Sequence, residues 1–158
     1  MKNIYLCGPI KDVSTAEANA WREKAKDDFG HTYEYIGTGE DRRPCSIEKC
    51  YDFNCLDPMR RQFNDNDMLG VNEIVLMDLK DIEDADIILV NYNVAQGGTT
   101  LCGTSMEIFH ASYNLDKFVV AFSDLPPEKW SPWMTKFCTR ILPSLDDAIE
   151  YIKKHFGD

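Results

Sequence analysis

The chain opens with an apolar run, Ile4-Tyr5-Leu6-Cys7, cut off by Gly8-Pro9. Apolar residues bounded by a turn signal predict a short buried strand over residues 2–7. The period then changes: Ala18, Trp21, Ala25 and Phe29 lie 3, 4 and 4 apart, which predicts an amphipathic helix from about Ser14 to Phe29. Ser14 with Glu17 three residues on supplies a capping box, and Gly30 supplies the stop. Tyr33 and Tyr35 alternate with polar neighbours between His31 and Ile36, as in a strand near a sheet edge. Residues 37–58 then lose all periodicity and carry Gly37, Gly39, Pro44 and Pro58. A stretch this long is either a lid or binding loop, with Arg42 or Arg43 available to an anionic group, or a solvated insertion.

Helical spacing returns from about Arg60 to Glu83, where Met68, Val71, Val75, Leu79 and Ile82 follow a 3, 4, 4, 3 rhythm. Breaks are expected near Gly70 and before Asp81. Ala85–Tyr92 holds the near-continuous apolar run Ile87-Ile88-Leu89-Val90, which suits a central strand of a parallel sheet covered on both faces. A glycine-bearing loop, Gly97–Glu107, leads to a helix over Ile108–Leu115 and a strand over Phe118–Phe122. Ser123–Trp133 reads as irregular, Phe137–Leu142 as the last strand, and Leu145, Ala148, Ile149, Ile152 and Phe156 as a closing helix capped by Ser144.

Strands alternating with helices predict a three-layer, doubly wound α/β fold with a mainly parallel five-stranded sheet, of flavodoxin or Rossmann-like type. Strand order 2-1-3-4-5 puts the switch point between strands 1 and 3. The ligand crevice then lies between the loops Cys7–Val13 and Asn91–Glu107. The length fits a single domain, residues 1–158.

Charge narrows the partners. A formal net charge of −10 and an isoelectric point near 4.7 argue against nucleic acid and anionic membranes. Met1-Lys2-Asn3 runs directly into the first strand without a secretory apolar region. The longest apolar runs reach about six residues, too short to span a bilayer. Six cysteines without an export signal are expected to stay reduced in the cytoplasm. Cys45, Cys50 and Cys55 are spaced five apart, whereas zinc sites use closer pairs, so no metal is expected. Cys7 and Cys138, in predicted strands, read as core thiols.

The candidate chemistry centres on Gly103-Thr104-Ser105-Met106-Glu107. Thr104 and Glu107 have the spacing of a capping box. Glu107 is thereby expected in a first helical turn, where backbone N–H groups and the macrodipole would keep it ionised. Such a carboxylate could be a cap and no more, or act as a nucleophile or cation stabiliser. The switch point favours the second role, and a capping carboxylate keeps one oxygen free. His110 reads as a surface or packing residue, and Asp81 and Asp84 as members of a solvated acidic face.

Three segments resemble the nucleoside 2-deoxyribosyltransferases and their relatives, the 2'-deoxynucleoside 5'-monophosphate N-glycosidases. They are Ile4-Tyr5-Leu6-Cys7-Gly8-Pro9-Ile10, Asp78-Leu79-Lys80-Asp81-Ile82-Glu83-Asp84-Ala85-Asp86, and Gly103-Thr104-Ser105-Met106-Glu107-Ile108-Phe109-His110-Ala111. The resemblance implies that Glu107 attacks C1' of a sugar, that Asp78 assists near sugar and base, and that Tyr5 positions the nucleophile. Gly8, Pro9, Asn91, Gly103, Thr104 and Ser105 would bind substrate, a small nucleoside or nucleotide. No cofactor is implied, and a homo-oligomer, dimer or higher, is. Phe109 stands where the family has glycine. Leu101 replaces an acid of the transferases or a phosphate-binding serine of the glycosidases, and Pro9 replaces a second glycosidase serine; Thr99, Thr100, Asn91 and Asn93 are candidate substitutes.

The leading expectation is transfer of deoxyribose between bases through a covalent glycosyl-glutamate. The alternatives are hydrolysis of a (deoxy)nucleoside 5'-monophosphate and a non-catalytic nucleotide-sensing module.

Overall fold

The computed structural model describes residues 1–10, 13–30, 35–36, 43–44, 53–60, 70–93 and 101–157. Its frame is one five-stranded sheet of β1 (Lys2–Cys7), β4 (Phe53–Leu56), β5 (Ile87–Asn91), β6 (Phe118–Phe122) and β7 (Arg140–Leu142). The strands lie in the order β4-β1-β5-β6-β7, and every neighbouring pair is parallel. In chain order within this sheet that is 2-1-3-4-5, the order of the doubly wound fold, though with a different second strand from the expected one, and the switch point lies between β1 and β5.

Helices cover both faces. On one, α1 (Thr15–Phe29) and α5 (Leu145–Phe156) bury Trp21, Ala25, Phe29, Ala148, Ile149 and Ile152 against Ile4, Leu6, Ile87 and Leu89. On the other, Ile82 of α2 (Val71–Asp84), Ile108 of α3 (Cys102–Phe109) and Met134 of α4 (Pro132–Phe137) pack with Tyr5, Cys7, Ile88 and Val90. Alternate residues of β1 thus feed two separate cores, as a period of two requires.

Caps behave as local chemistry dictates. The Ser14 hydroxyl accepts from the Glu17 N–H, and the Glu17 carboxylate accepts from the Ser14 N–H. At α2 the N-cap is Gly70, whose N–H donates to the Glu73 carboxylate. The break expected near Gly70 is therefore a helix start, and the break expected before Asp81 is absent, since α2 runs unbroken over Val71–Asp84; Met68 lies outside the described residues.

Four expectations need correction. The second strand of the sheet is Phe53–Leu56, not His31–Ile36, and it falls in the stretch expected to be irregular. Tyr35–Ile36 (β2) pairs antiparallel with Arg43–Pro44 (β3) in a separate ribbon. The position beside β1 goes to the segment that can bury Phe53 edge-on against Phe29, with centroids 5.3 Å apart; a four-residue strand among turn residues has too short a pattern to stand out. Next, Phe137 and Cys138 are not in the last strand. Pro132 at N1, capped by the Ser131 hydroxyl, starts α4, and Cys138 is its buried C-cap. Third, the helix expected at Ile108 begins at Cys102 and continues as a π-helical turn over His110–Asn114. Fourth, Asp81 is buried and pairs with Arg60 at 2.7 Å, while Asp84 is exposed and bonded to Lys80.

Candidate active site

Tyr5 and Cys7 stand two apart on β1 and so point to the same side of the sheet, where α3 crosses. Glu107, on α3, reaches down between them. The Tyr5 hydroxyl lies 3.1 Å from Glu107 Oε1, and Cys7 Sγ lies 2.9 Å from Oε2. Both carboxyl oxygens thus accept a hydrogen bond from one strand. Tyr5 and Cys7 are themselves fully buried.

Two expectations about Glu107 fail here. It is the sixth residue of α3, whose N-cap is Leu101 without a side-chain bond, so Thr104 and Glu107 form no capping box. The dipole's influence fades beyond the first turn. Burial decides instead: it raises the Glu107 acid, against the hydrogen bonds from Cys7 and Tyr5 and the charge of Arg22, and with the charge of Asp78 adding to the rise. The acid ends at about 7 rather than being fully ionised. The same surroundings push the Tyr5 phenol and the Cys7 thiol upward, burial first and the Glu107 charge second, so both remain neutral donors.

Above Glu107 opens a cleft of about 570 Å³ between α2, α3 and α4, within the size range of small-molecule sites. Asp78, Glu107, Gly103 and Ser105 line it together, against an apolar wall of Val75, Leu79, Met106, Phe109 and Trp133. Phe109 stacks on Tyr113 at 5.1 Å and meets Phe137 edge-on. The aromatic ring at this position therefore forms part of the wall. His110, read from sequence as packing, also lines the cleft; Asn114 Nδ2 lies 3.0 Å from its Nδ1. The π-helical turn places it there, and the sequence carries no period that announces such a turn.

The remaining candidates lie elsewhere. Thr104 is buried, with its carbonyl facing Cys7 Sγ. Pro9 and Asn91 line a separate hollow of about 110 Å³ with Val13, Glu17, Ala18, Trp21 and Asn93. Asn91 Oδ1 accepts from the Asn93 N–H, and Asn93 Oδ1 from the Asp124 N–H. Gly8 is a close-approach residue: a Cβ there would meet the Trp21 ring at 2.9 Å and Asn91 at 3.1 Å. The carbonyl oxygens of Gly8, Leu6 and Ala18 accept from Arg22, a fully buried cation 3.5 Å from Asp57. Neither Arg22 nor Cys7 was singled out as a site residue from the sequence: Arg22 sits beside an apolar stripe, and a thiol in an apolar run looks like packing.

Among the described residues no cluster of metal-ligating side chains occurs, and no helix is long and apolar enough to cross a membrane. Cys55, on β4, is a half-buried free thiol; Cys45, Cys50, Thr99, Thr100 and Arg42 lie outside the described residues.

No family model and no curated protein matches this sequence. Solved structures do share its fold. A 2-deoxyribosyltransferase from the psychrotolerant bacterium Bacillus psychrosaccharolyticus is 20% identical, with a TM-score of 0.63 over 94% of this chain and 91% of its own. A 2-desoxiribosyltransferase from Leishmania mexicana is 18% identical, with a TM-score of 0.68 over 99% of each chain. A conserved protein from Enterococcus faecalis V583 is 16% identical, with a TM-score of 0.63 over 99% of each. At these identities the likeness is one of fold.

Proposed function

We propose that this chain, as a single domain, is an N-glycosidic-bond enzyme of the nucleoside 2-deoxyribosyltransferase family, moving deoxyribose from one base to another. The observation that carries the reading is the Glu107 carboxyl, held on both oxygens by Tyr5 and Cys7 at the wall of a cleft that Asp78 also lines. The shared fold of the two 2-deoxyribosyltransferases supports it.

In the reading, a Glu107 oxygen forms a bond to C1' as the C1'–N bond breaks, and the bonding pair leaves with the base. Asp78 gives a proton to that base. A nitrogen of an incoming base, or the oxygen of water, then attacks C1', returns its proton to Asp78 and restores the Glu107 carboxylate, which gives ping-pong kinetics. Positive charge builds on the sugar during both steps, and a carboxylate placed beneath it lowers the barrier. The apolar wall of Leu79, Phe109 and Trp133 receives the flat base.

Exposed Leu76, Met106, Tyr113 and Trp133 lie on the helices that build this cleft and its continuing turn. They support a homo-oligomer. Incubation with deoxyadenosine and free cytosine, followed by chromatography, tests the proposal: deoxycytidine and adenine are the expected products. Sugar phosphate released from deoxynucleoside monophosphates, without exchange, would replace transfer by hydrolysis. Nucleotide binding without turnover of either substrate would leave a sensor.

A further inference from the structure

Resting on that reading, we propose that Cys7 is a positioning residue for the reaction. Its thiol donates a hydrogen bond to Glu107 Oε2 and, opposite the Tyr5 hydroxyl on Oε1, holds the carboxylate aimed at the cleft. Strand geometry makes the pair: Tyr5 and Cys7 share one face of β1, with Leu6 directed to the other core. The two donors are 3.1 Å and 2.9 Å from opposite oxygens of one carboxyl group. A carboxylate oxygen has two lone pairs, so either oxygen accepts its hydrogen bond and still has a pair for C1'.

Cys7 does this as a thiol. It is fully buried, and burial together with the adjacent Glu107 raises its acid well above the ordinary cysteine range. It therefore keeps its proton while Glu107 loses one. Among the described residues, the groups that act most on Glu107 are Tyr5 and Cys7 from β1, Arg22 from α1 and Asp78 from α2. The first three favour the ionised form; Asp78 opposes it, as does burial. Removing the thiol subtracts one of the two direct donors found among the described residues.

The experiment follows Glu107 by ¹³C NMR in protein labelled at the glutamate δ-carbon, with Glu107→Gln identifying the signal. In Cys7→Ala the Glu107 titration should move up by about one pH unit, the effect of one hydrogen bond to a charged group. The acid limb of kcat/KM should move with it, about a tenfold loss at pH 6 with KM changed less than about twofold. Cys7→Ser, which restores a donor, should return both to within a few tenths of a pH unit. An unshifted Glu107 titration in folded Cys7→Ala overturns the proposal, as does a rate loss of equal size at all pH values. If no protein, wild type included, turns over deoxynucleosides, the functional reading fails while the titration still decides the thiol's part.

Discussion

Ile4 and Leu6 on one side of β1, and Tyr5 and Cys7 on the other, are all buried to 0% exposure, yet the two sides do different work. Beneath α1 and α5 the side chains of Ile4 and Leu6 join an apolar cluster, and the buried Arg22 beside it bonds the Leu6 carbonyl rather than a side chain of the strand. Beneath α3 the same strand meets a carboxyl group and satisfies both its oxygens. Burial alone therefore does not separate scaffold from site. What separates them is whether the strand's side chains carry hydrogen-bond donors and whether the facing helix brings an acid. The acid's cost is visible, since Glu107 is driven to about 7.

Substitutions on the two sides should fail in different ways. The largest effect belongs to Glu107→Gln: turnover should fall on the order of 10³-fold or more, as when a group essential to the chemistry is removed, measured as base release by chromatography. Retained activity would return Glu107 to the status of a buried structural acid. Leu6→Ala, on the closed side, should instead cost about 2–5 kcal/mol in urea unfolding, while the folded fraction keeps its activity.

The third expectation joins the two sides through pH. The folded acid is raised from 4.5 to about 7, so the native state holds its proton more tightly than the unfolded chain. Glu107 is thus no burden below pH 4.5, and its cost grows as pH rises through 7, to about 3 kcal/mol at most. Glu107→Gln should therefore match wild type in stability near pH 4.5 and exceed it at pH 8, by about 1–3 kcal/mol in urea unfolding. A constant difference between the two proteins would mean that the carboxyl is solvated after all. Last, Gly8→Ala should destabilise by a similar amount, about 1–3 kcal/mol, because the new Cβ presses on the Trp21 ring. Its effect on turnover should be slight, since Gly8 packs on Trp21 and Asn91 on the α1 side and does not line the cleft holding Glu107.

How much of this was legible beforehand depended on the kind of signal. Helices α1 and α5 carry full periods with caps at both ends, and β1, β5 and β6 are unbroken apolar runs, so their positions could be read directly. Phe53–Leu56 could not, because four residues among turn formers give no period and the strand exists only where β1 offers it an edge. The spacing of Thr104 and Glu107 matched a capping box, but the backbone had already turned helical at Cys102, which moved Glu107 beyond the reach of the helix end. Resemblance brought Tyr5, Asp78 and Glu107 forward as a set. Cys7, Arg22 and His110 stayed hidden because each is ordinary in its own segment.

The sequence by itself determined the alternation of most strands and helices and the acidic balance, since these follow from local periods, turn residues and charge counts; which segment takes the place beside β1 was left to the tertiary structure. Tertiary structure alone decided that the hydroxyl of Tyr5 and the thiol of Cys7 grip opposite oxygens of a residue a hundred positions away. It also decided the protonation of that residue. Both depend on distance and on the exclusion of water, and neither quantity is written along the chain.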